Sequence, residues 1–438
     1  MPKSHSVYVC QQCGYETPQW YGKCPGCGSW SSLVETEKPD AKVQNQKSKL
    51  SNSGQNLKPA KLSEVKHIET SRLKSGFAEF DRVTGGGIVP GSVTLVAGDP
   101  GIGKSTLLLH VLGATGGLYV TGEESNEQVK LRAVRLGING NKILVMAQTD
   151  INIIAASLES LTPAPVLVII DSIQTIASTE LVGMAGSVGQ IRYAAEQLIC
   201  IAKKSNIPIF IIGHVTKEGM IAGPKVLEHM VDCVLYLEGE RYACARILRT
   251  LKNRFGAVEE VGIFEMGDKG LVEIDNPSRI FLEDRVRNVP GSIVTVIMEG
   301  TRPILVEIQA LAVPTQLAIP RRVGSGVDYN RLQLLVAVLA KRLQIPTGNF
   351  DIFINVSGGL KVEEPSCDLA IIMAIYSSIK GVALDDKTAV FGEVGLLGEI
   401  RRVSALERRS REAHRLGFSC VISGDNLKNV QQLPKYFP

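Results

Sequence analysis

No uninterrupted apolar run in the sequence is long enough to cross a bilayer, and the amino terminus, Met1-Pro2-Lys3-Ser4-His5, lacks the apolar stretch of a signal segment. A cytoplasmic protein with no membrane partner is the expectation. Strong charge of either sign is missing too: a formal net charge of +4 permits a nucleic-acid partner without requiring one. No internal repeat is visible, which sets repeat architectures aside. A disulfide framework is lacking as well. Four of the nine cysteines sit in two close pairs near the start, and Cys200, Cys233, Cys244, Cys367 and Cys420 are scattered through apolar surroundings, as buried thiols of a reducing compartment are.

What is present is enough apolar material, 44% of 438 residues, for two or three domains. Residues 8–34 form a module rich in Cys, Gly and aromatics, and residues 35–60 are Lys, Gln, Asn and Ser with little to bury, a flexible linker. From 61 to 287 short apolar runs alternate with longer amphipathic ones. Strands are expected at Gly91–Ala97, Leu118–Thr121, Ile143–Val145, Val166–Ile170, Pro208–Ile212 and Val231–Leu237, with a helix from Lys104 to Leu112. The unbroken apolar character of Val166–Ile170 and Pro208–Ile212 predicts central strands covered on both faces, hence a mostly parallel sheet with flanking helices, an α/β core. Residues 288–438 read as a separate α+β domain. Paired strands Ile293–Met298 and Pro303–Ile308 are followed by a helix over Arg331–Leu343, a strand over Phe350–Val356 and a helix over Cys367–Ile379.

The run Gly98-Asp99-Pro100-Gly101-Ile102-Gly103-Lys104-Ser105, continued by Thr106, lies between a predicted strand and a predicted helix, the context that makes a phosphate-binding loop. Glycines let the backbone wrap a phosphate with its N–H groups inward, Lys104 reaches the β and γ oxygens of ATP, and Ser105 ligates Mg2+. The helix that starts here adds the positive end of its dipole. Leu167-Val168-Ile169-Ile170-Asp171 is an apolar strand ending in an acid, so Asp171 is the candidate for orienting Mg2+ and its water. Glu123 and Glu124 follow the strand Leu118–Thr121 at the same sheet edge, and hydrolysis needs a group that polarises the attacking water. Glu123 is preferred; Glu124, adjacent on the same loop, stays open.

Cys10-x2-Cys13 and Cys24-x2-Cys27 are two knuckles ten residues apart, the pattern of a tetrahedral structural Zn2+ site. Gly14, Gly26 and Gly28 permit the turns, while Tyr15, Trp20, Tyr21 and Trp30 offer a minimal core. Four thiolates leave no open coordination position, which excludes zinc catalysis. Metal binding supplies most of the folding energy of such a module, roughly 10 kcal/mol or more.

Thr121-Gly122-Glu123-Glu124-Ser125, His214-Val215-Thr216-Lys217-Glu218-Gly219, Ala222-Gly223-Pro224, Leu227-Glu228-His229 and Lys252-Asn253-Arg254-Phe255-Gly256 resemble, in this order, the RadA (Sms) family of bacterial DNA repair proteins, relatives of the RecA recombinase. The resemblance covers essentially the whole chain. It implies a RecA-like P-loop ATPase core, the four-cysteine zinc module and a Lon-protease-like carboxyl-terminal domain. It also implies a hexameric ring motor of the DNA-damage response that holds nucleotide between subunits, binds single-stranded and branched DNA, promotes branch migration and has a recombinase as partner. By similarity, Lys252, Asn253, Arg254, Phe255 and Gly256 reach DNA or the neighbour's nucleotide, and Lys217 and His214 sense the γ-phosphate or couple it to DNA. The zinc module is expected to contact DNA or protein.

The Lon-like region runs from about Ile319 onward. The Lon nucleophile lies in a Gly-Pro-Ser-Ala-Gly run, and the matching stretch Glu364-Pro365-Ser366-Cys367-Asp368 puts Ser366 on its position. The stretch matching the Lon lysine puts Glu407 where that lysine should be, so no serine–lysine dyad is expected. Ser366 is read as a helix N-cap or first-turn residue. The domain is read as an assembly scaffold with a basic, DNA-tracking surface of Arg321, Arg322, Lys341, Arg342, Arg401, Arg402, Arg408, Arg409, Arg411 and Arg415. A solvated helical face explains Arg408, Arg409 and Arg411 as well.

Overall fold

The computed structural model describes residues 6–10, 16–26, 28, 30, 32–37, 71–214, 224–239, 245–274 and 276–437. The expectations for Cys13, Cys27, Cys244, Lys217 and residues 38–60 lie outside them. Among the described residues no helix is long and apolar enough to cross a membrane.

In the amino-terminal module β1 (Ser6–Cys10) pairs antiparallel with β2 (Glu16–Thr17) and β3 (Leu33–Glu37). β3 runs into the segment expected to open the linker, because its whole length is laddered to β1, with Ser6 opposite Glu37. Cys10, Cys24 and Leu33 form the buried cluster, with Tyr8 against it. Trp20, Tyr21 and Trp30 are 55%, 45% and 75% exposed, so the core expected of them is made by cysteine sulfur and leucine instead.

The chain divides into two compact units, residues 1–238, 249–258 and 268–271, and residues 239–248, 259–267 and 272–438. The division falls before the boundary expected at 288. Ile274 and Phe281 already belong to the second unit's core, and Ser278 Oγ accepts the Leu305 N–H at 3.0 Å.

In the first unit β4 (Val93–Gly98), β5 (Gly117–Thr121), β6 (Ile143–Ala147), β7 (Val168–Asp171), β8 (Ile209–His214) and β9 (Cys233–Glu238) are parallel, in the order β9-β4-β8-β7-β5-β6. All of β4, β5 and β7 is buried, as unbroken Val, Ile and Leu runs require when helices cover both faces. β10 (Ala245–Asn253), β11 (Val261–Gly267) and β12 (Gly270–Glu273) follow β9 along the chain, with residues of each unit among them. Helix α1 (Lys104–Thr115) follows β4, α2 (Asn126–Arg135) follows β5, α3 (Ile151–Ser160) follows β6, and α4 (Val188–Ser205) precedes β8. α2 begins at a capping box in which Ser125 and Gln128 exchange side-chain and backbone hydrogen bonds. The carboxyl ends of the parallel strands carry Gly98 opposite His214 and Thr121 opposite Asp171, the sheet edge where α/β folds place their ligands.

The second unit has a six-stranded sheet, order β15-β16-β14-β13-β17-β20, built from β13 (Ser292–Glu299), β14 (Arg302–Pro314), β15 (Arg322–Ser325), β16 (Phe350–Val356), β17 (Thr388–Val390) and β20 (Cys420–Ile422). β18 (Glu393–Val394) and β19 (Ile400–Arg401) form a separate hairpin. Its main helices are α5 (Tyr329–Arg342), α6 (Asp368–Lys380), buried from Asp368 to Ser377, and α7 (Leu406–Arg415). Of the scattered cysteines, Cys233 and Cys367 are buried but Cys200 and Cys420 are exposed. Chain neighbours on a helix or strand point to different faces, so apolar neighbours in sequence did not guarantee an apolar environment.

Candidate nucleotide-hydrolysis site

The phosphate loop leaves β4 at Gly98, where a Cβ would lie 2.3 Å from Leu237 O, and turns through Gly101 (φ +78°) and Gly103 (φ +116°) into α1. Such angles favour glycine. A Cβ on Gly101 would meet nothing within 4 Å, so its conformation and not crowding calls for glycine there. Asp99 and Pro100 are exposed at its rim, Ile102 is buried beneath it, and Ser105 and Thr106 are half-buried in the first helical turn. Lys104 is buried, and its Nζ donates to Gly98 O and Asp99 O, both at 2.8 Å. Burial draws its ammonium down to about 8, against the opposing pull of Asp171, Asp99 and Glu123.

Asp171 closes β7 and is buried; Tyr119 on β5 donates its hydroxyl to Asp171 Oδ2. The two adjacent glutamates diverge. Glu123 Oε1 accepts the Ser172 hydroxyl at 2.5 Å and lies 3.6 Å from His214 Nε2. Glu124 Oε1 pairs with Arg132 of α2, whose Nη1 donates to Tyr119 Oη at 3.4 Å and lies 4.0 Å from Asp171 Oδ2. Burial and then Lys104 hold the His214 imidazole below its ordinary value, with Glu123 and Asp171 opposing. His214 Nδ1 and Gln174 Oε1 are buried with no partner among the described residues, and Gln174 Nε2 donates to His214 O at 3.2 Å. Buried polar atoms left open this way suit a polar ligand. A glycine cradle, an ammonium, a helix-start hydroxyl and a carboxylate together fit a nucleoside triphosphate with Mg2+.

Tyr119, Arg132, Ser172 and Gln174 were missed by the sequence reading. Ser172 could have been found as the neighbour of Asp171. Arg132 carried no signal, since on α2 it resembles any solvated cation.

Lys252 to Gly256 lies at the other end of β4. The Asp232 N–H donates to Val93 O at 2.9 Å and the Val93 N–H to Asp232 Oδ2 at 3.1 Å, while Arg254 joins Asp232 through a 3.0 Å Nη1–Oδ1 contact. Lys252 Nζ donates to Glu228 O at 2.7 Å, Val231 O at 2.8 Å and His229 O at 3.3 Å. Asn253 Oδ1 accepts the Phe255 N–H at 2.9 Å, Phe255 O accepts from Arg72 at 2.6 Å, and a Cβ on Gly256 would lie 3.1 Å from Gly85 Cα. The rise from Val93 to Gly98 is about 17 Å, so this motif is not brought together with the phosphate loop of its own chain.

In the zinc module Cys10 Sγ hydrogen-bonds Ser32 Oγ at 3.2 Å, the Gly26 N–H donates to Cys24 Sγ at 3.3 Å, and Gly28, at φ +75°, donates to Cys24 O at 2.8 Å. Partners of this kind orient a cysteine sulfur toward a metal.

In the second unit Ser366 is buried, and its Oγ accepts from Arg409 Nη1 at 3.1 Å. Arg409 has no exposed surface, which corrects its placement on the basic surface. It donates to Glu364 Oε2 at 2.6 Å and Oε1 at 2.9 Å, to Ser404 O at 2.9 Å and to Val296 O. Ser366 is not the helix cap either: it lies in the turn Pro365–Cys367, and Cys367, the cap of α6, makes no side-chain cap bond. Glu407 is exposed. Several other cations of that surface are paired, Arg401 with Glu393 and Glu399, Arg402 with Asp425, and Arg415 with Glu412. A cationic cleft went unseen in the sequence, about 500 Å3 in volume and lined by Arg279, Arg285, Arg287 and Lys387 with Glu283 and Asp386.

One further loop of the first unit is apolar and exposed. Leu181, Val182 and Met184 are 37%, 75% and 84% exposed. Buried Gln190 donates from one amide nitrogen to Ser178 O, Leu181 O and Gly183 O at 3.1, 2.7 and 3.2 Å.

Three family models match the chain: the rubredoxin metal binding domain over residues 8–35, the KaiC ATPase over 73–165, and subunit ChlI of Mg-chelatase over 325–426. The DNA repair protein RadA of Bacillus subtilis (strain 168) is 50% identical over 428 residues, 96% of this chain and 93% of that protein. That of Halalkalibacterium halodurans is 49% identical over 430 residues, 97% and 93% of the two chains. That of Streptococcus pyogenes serotype M1 is 48% identical over 439 residues, 99% and 96%. Among solved structures, the RadB recombinase is 24% identical with a TM-score of 0.39, covering 46% of this chain and 100% of that one. With an amino-terminal zinc ribbon, a RecA-like P-loop ATPase fold and a Lon-like carboxyl-terminal domain, and with relatives this similar along nearly its whole length, the chain belongs to the RadA family of DNA repair proteins.

Proposed function

We propose that this chain is a DNA-dependent ATPase motor of recombinational repair, assembled as a hexameric ring that binds single-stranded DNA and drives branch migration of recombination intermediates. The observation that carries the reading is the separation of Lys252–Gly256 from the phosphate loop by the length of β4. A linking motif at the far sheet edge serves the nucleotide of the next copy, so each hydrolytic site draws on two chains.

Within one chain the roles divide by chemistry. Lys104 neutralises the β and γ oxygens of ATP, Ser105 and Asp171 hold Mg2+, and Glu123, seated on the Ser172 hydroxyl, polarises the attacking water. Glu124 is taken by Arg132 and is not the activating acid. His214 and Lys217 sense the γ-phosphate. Lys252 and Arg254 carry that state to DNA or to the neighbouring nucleotide. The cleft of Arg279, Arg285, Arg287 and Lys387 offers cations to DNA phosphates, so DNA affinity falls steeply with salt. Cys10, Cys13, Cys24 and Cys27 hold a structural Zn2+. A recombinase is the partner that supplies the intermediates.

Two measurements test this. Lys104→Ala and Glu123→Gln proteins that still assemble and bind DNA are expected to lose directional branch migration; migration at the parental rate in both would end the motor reading and leave an ATP-regulated assembly scaffold. Mixed rings of Lys104→Ala and Arg254→Ala subunits should regain part of the ATPase activity that each lacks alone. No regain at any mixing ratio removes the shared site.

A further inference from the structure

Behind the phosphate loop four side chains touch in sequence: Asp171, Tyr119, Arg132 and Glu124. Tyr119 is wholly buried and donates its single hydroxyl proton to Asp171 Oδ2. Its phenol oxygen is thereby left to accept from Arg132 Nη1 at 3.4 Å. Arg132 Nη2 pairs with Glu124. The loop bearing Glu124 is fixed in turn, because its N–H donates to Thr121 Oγ1 at 2.9 Å and its carbonyl accepts the Thr121 hydroxyl at 3.1 Å. The capping box at Ser125 anchors the helix that carries Arg132. Of these four side chains only Asp171 acts on the Lys104 ammonium, as does Glu123 from the position before Glu124 along the backbone.

We propose that Tyr119 and Arg132 are positioning residues of the hydrolytic site: Tyr119 fixes the Asp171 carboxylate that orients Mg2+, and Arg132 ties that carboxylate to the Glu124 loop, which keeps Glu123 in register with the metal. The inference rests on Asp171 as the metal-orienting acid. With Oδ2 held by the phenol, Oδ1 is left for the metal's water, and hydrogen-bond partners of metal-site carboxylates typically alter metal affinity by about 10–100-fold. Arg132 adds a second effect. One guanidinium touches both acids' supports, so a shift of the Glu124 loop is felt at Asp171.

The test is calorimetric titration of ADP, in excess EDTA and across a Mg2+ series, for the parent and for Tyr119→Phe, Arg132→Met, Arg132→Lys and Asp171→Asn. Tyr119→Phe is expected to keep metal-free ADP affinity within about twofold and to raise the Mg2+ midpoint about tenfold or more. Arg132→Met should lower kcat at saturating Mg2+ without raising the KM for ATP, and Arg132→Lys should fall between it and the parent. An unchanged Mg2+ midpoint in Tyr119→Phe overturns the inference. So does an equal loss of metal-free binding, which marks a general fold defect. If Asp171→Asn also leaves the midpoint unchanged, the assignment of Asp171 itself fails; if Asp171→Asn raises it and Tyr119→Phe does not, only the present inference falls.

Discussion

Arg409 donates to the hydroxyl of Ser366 at 3.1 Å from a guanidinium that solvent does not reach. A serine nucleophile needs a neighbour able to take its proton, and a guanidinium cannot. Glu364 balances the charge, and the Ser404 and Val296 carbonyls accept from Nε and Nη1. The position of the Lon nucleophile has become part of a buried ion-pair network joining α7 to β13.

Breaking that network is expected to be costly. Arg409→Met should lower unfolding stability by about 1–3 kcal/mol, since it takes the donor from the Val296 and Ser404 carbonyls while Glu364, half-buried, keeps the Met298 N–H, and Ser366→Ala should cost less than about 1.5 kcal/mol. Urea unfolding of the two variants measures the difference. A serine-directed acylating probe should leave Ser366 unlabelled, and labelling there would restore the peptidase reading.

Nucleotide binding should weaken at alkaline pH. Lys104 loses its proton near 8 in the folded chain rather than near 10.5, so the phosphates lose their cation as pH rises through about 8. The affinity for ADP is expected to fall by up to tenfold per pH unit above that point, and a flat profile to pH 9.5 would contradict it. The sign for folding is opposite. Between 8 and 10.5 the unfolded chain holds more protons at this group, so its contribution to stability rises with pH across that window.

Gly101→Ala tests backbone strain in the phosphate loop. At φ +78° the alanine should cost about 1–2 kcal/mol of stability, and because the strain falls on the turn that wraps the phosphates, ADP affinity should drop by more than about tenfold. Gly137 is the control, with φ +70° and equally empty surroundings but outside the phosphate loop. Gly137→Ala should show the same loss of thermal stability and parental ADP binding.

The ribbon should hold one metal ion per chain. Elemental analysis is expected to find one zinc, and cobalt substitution to give the intense absorption of a tetrahedral thiolate site. Cys10→Ser and Cys24→Ser should lose both while ADP binding stays parental. Retention of the metal in either variant would argue against the four-cysteine site.

The sheet was legible because Val168–Asp171 and Ile209–His214 are central strands, and burial on both faces writes itself into sequence as an unbroken apolar run. The phosphate loop was legible for a different reason, since its chemistry needs glycines and a lysine at fixed spacing. Glu123 and Glu124 could not be ranked, because their difference is made by Arg132 eight positions on and by Ser172 just past the end of β7. Arg409 read as surface charge for the same reason: Glu364, its neutralising partner, is 45 positions away. Long-range pairing of this kind leaves no local pattern. Nor does the exposure of aromatics in a module whose interior is taken by cysteine sulfur and leucine, which is why Trp20 and Trp30 read as core.

The loop held by Gln190 has a thermodynamic consequence. Its three carbonyls converge on one amide nitrogen, so Leu181, Val182 and Met184 are displayed on a backbone whose freedom is already lost in the isolated chain. Any association that covers them removes apolar area from water with little ordering to offset it. It should announce itself as a negative heat-capacity change without the large unfavourable entropy of a loop that folds on contact.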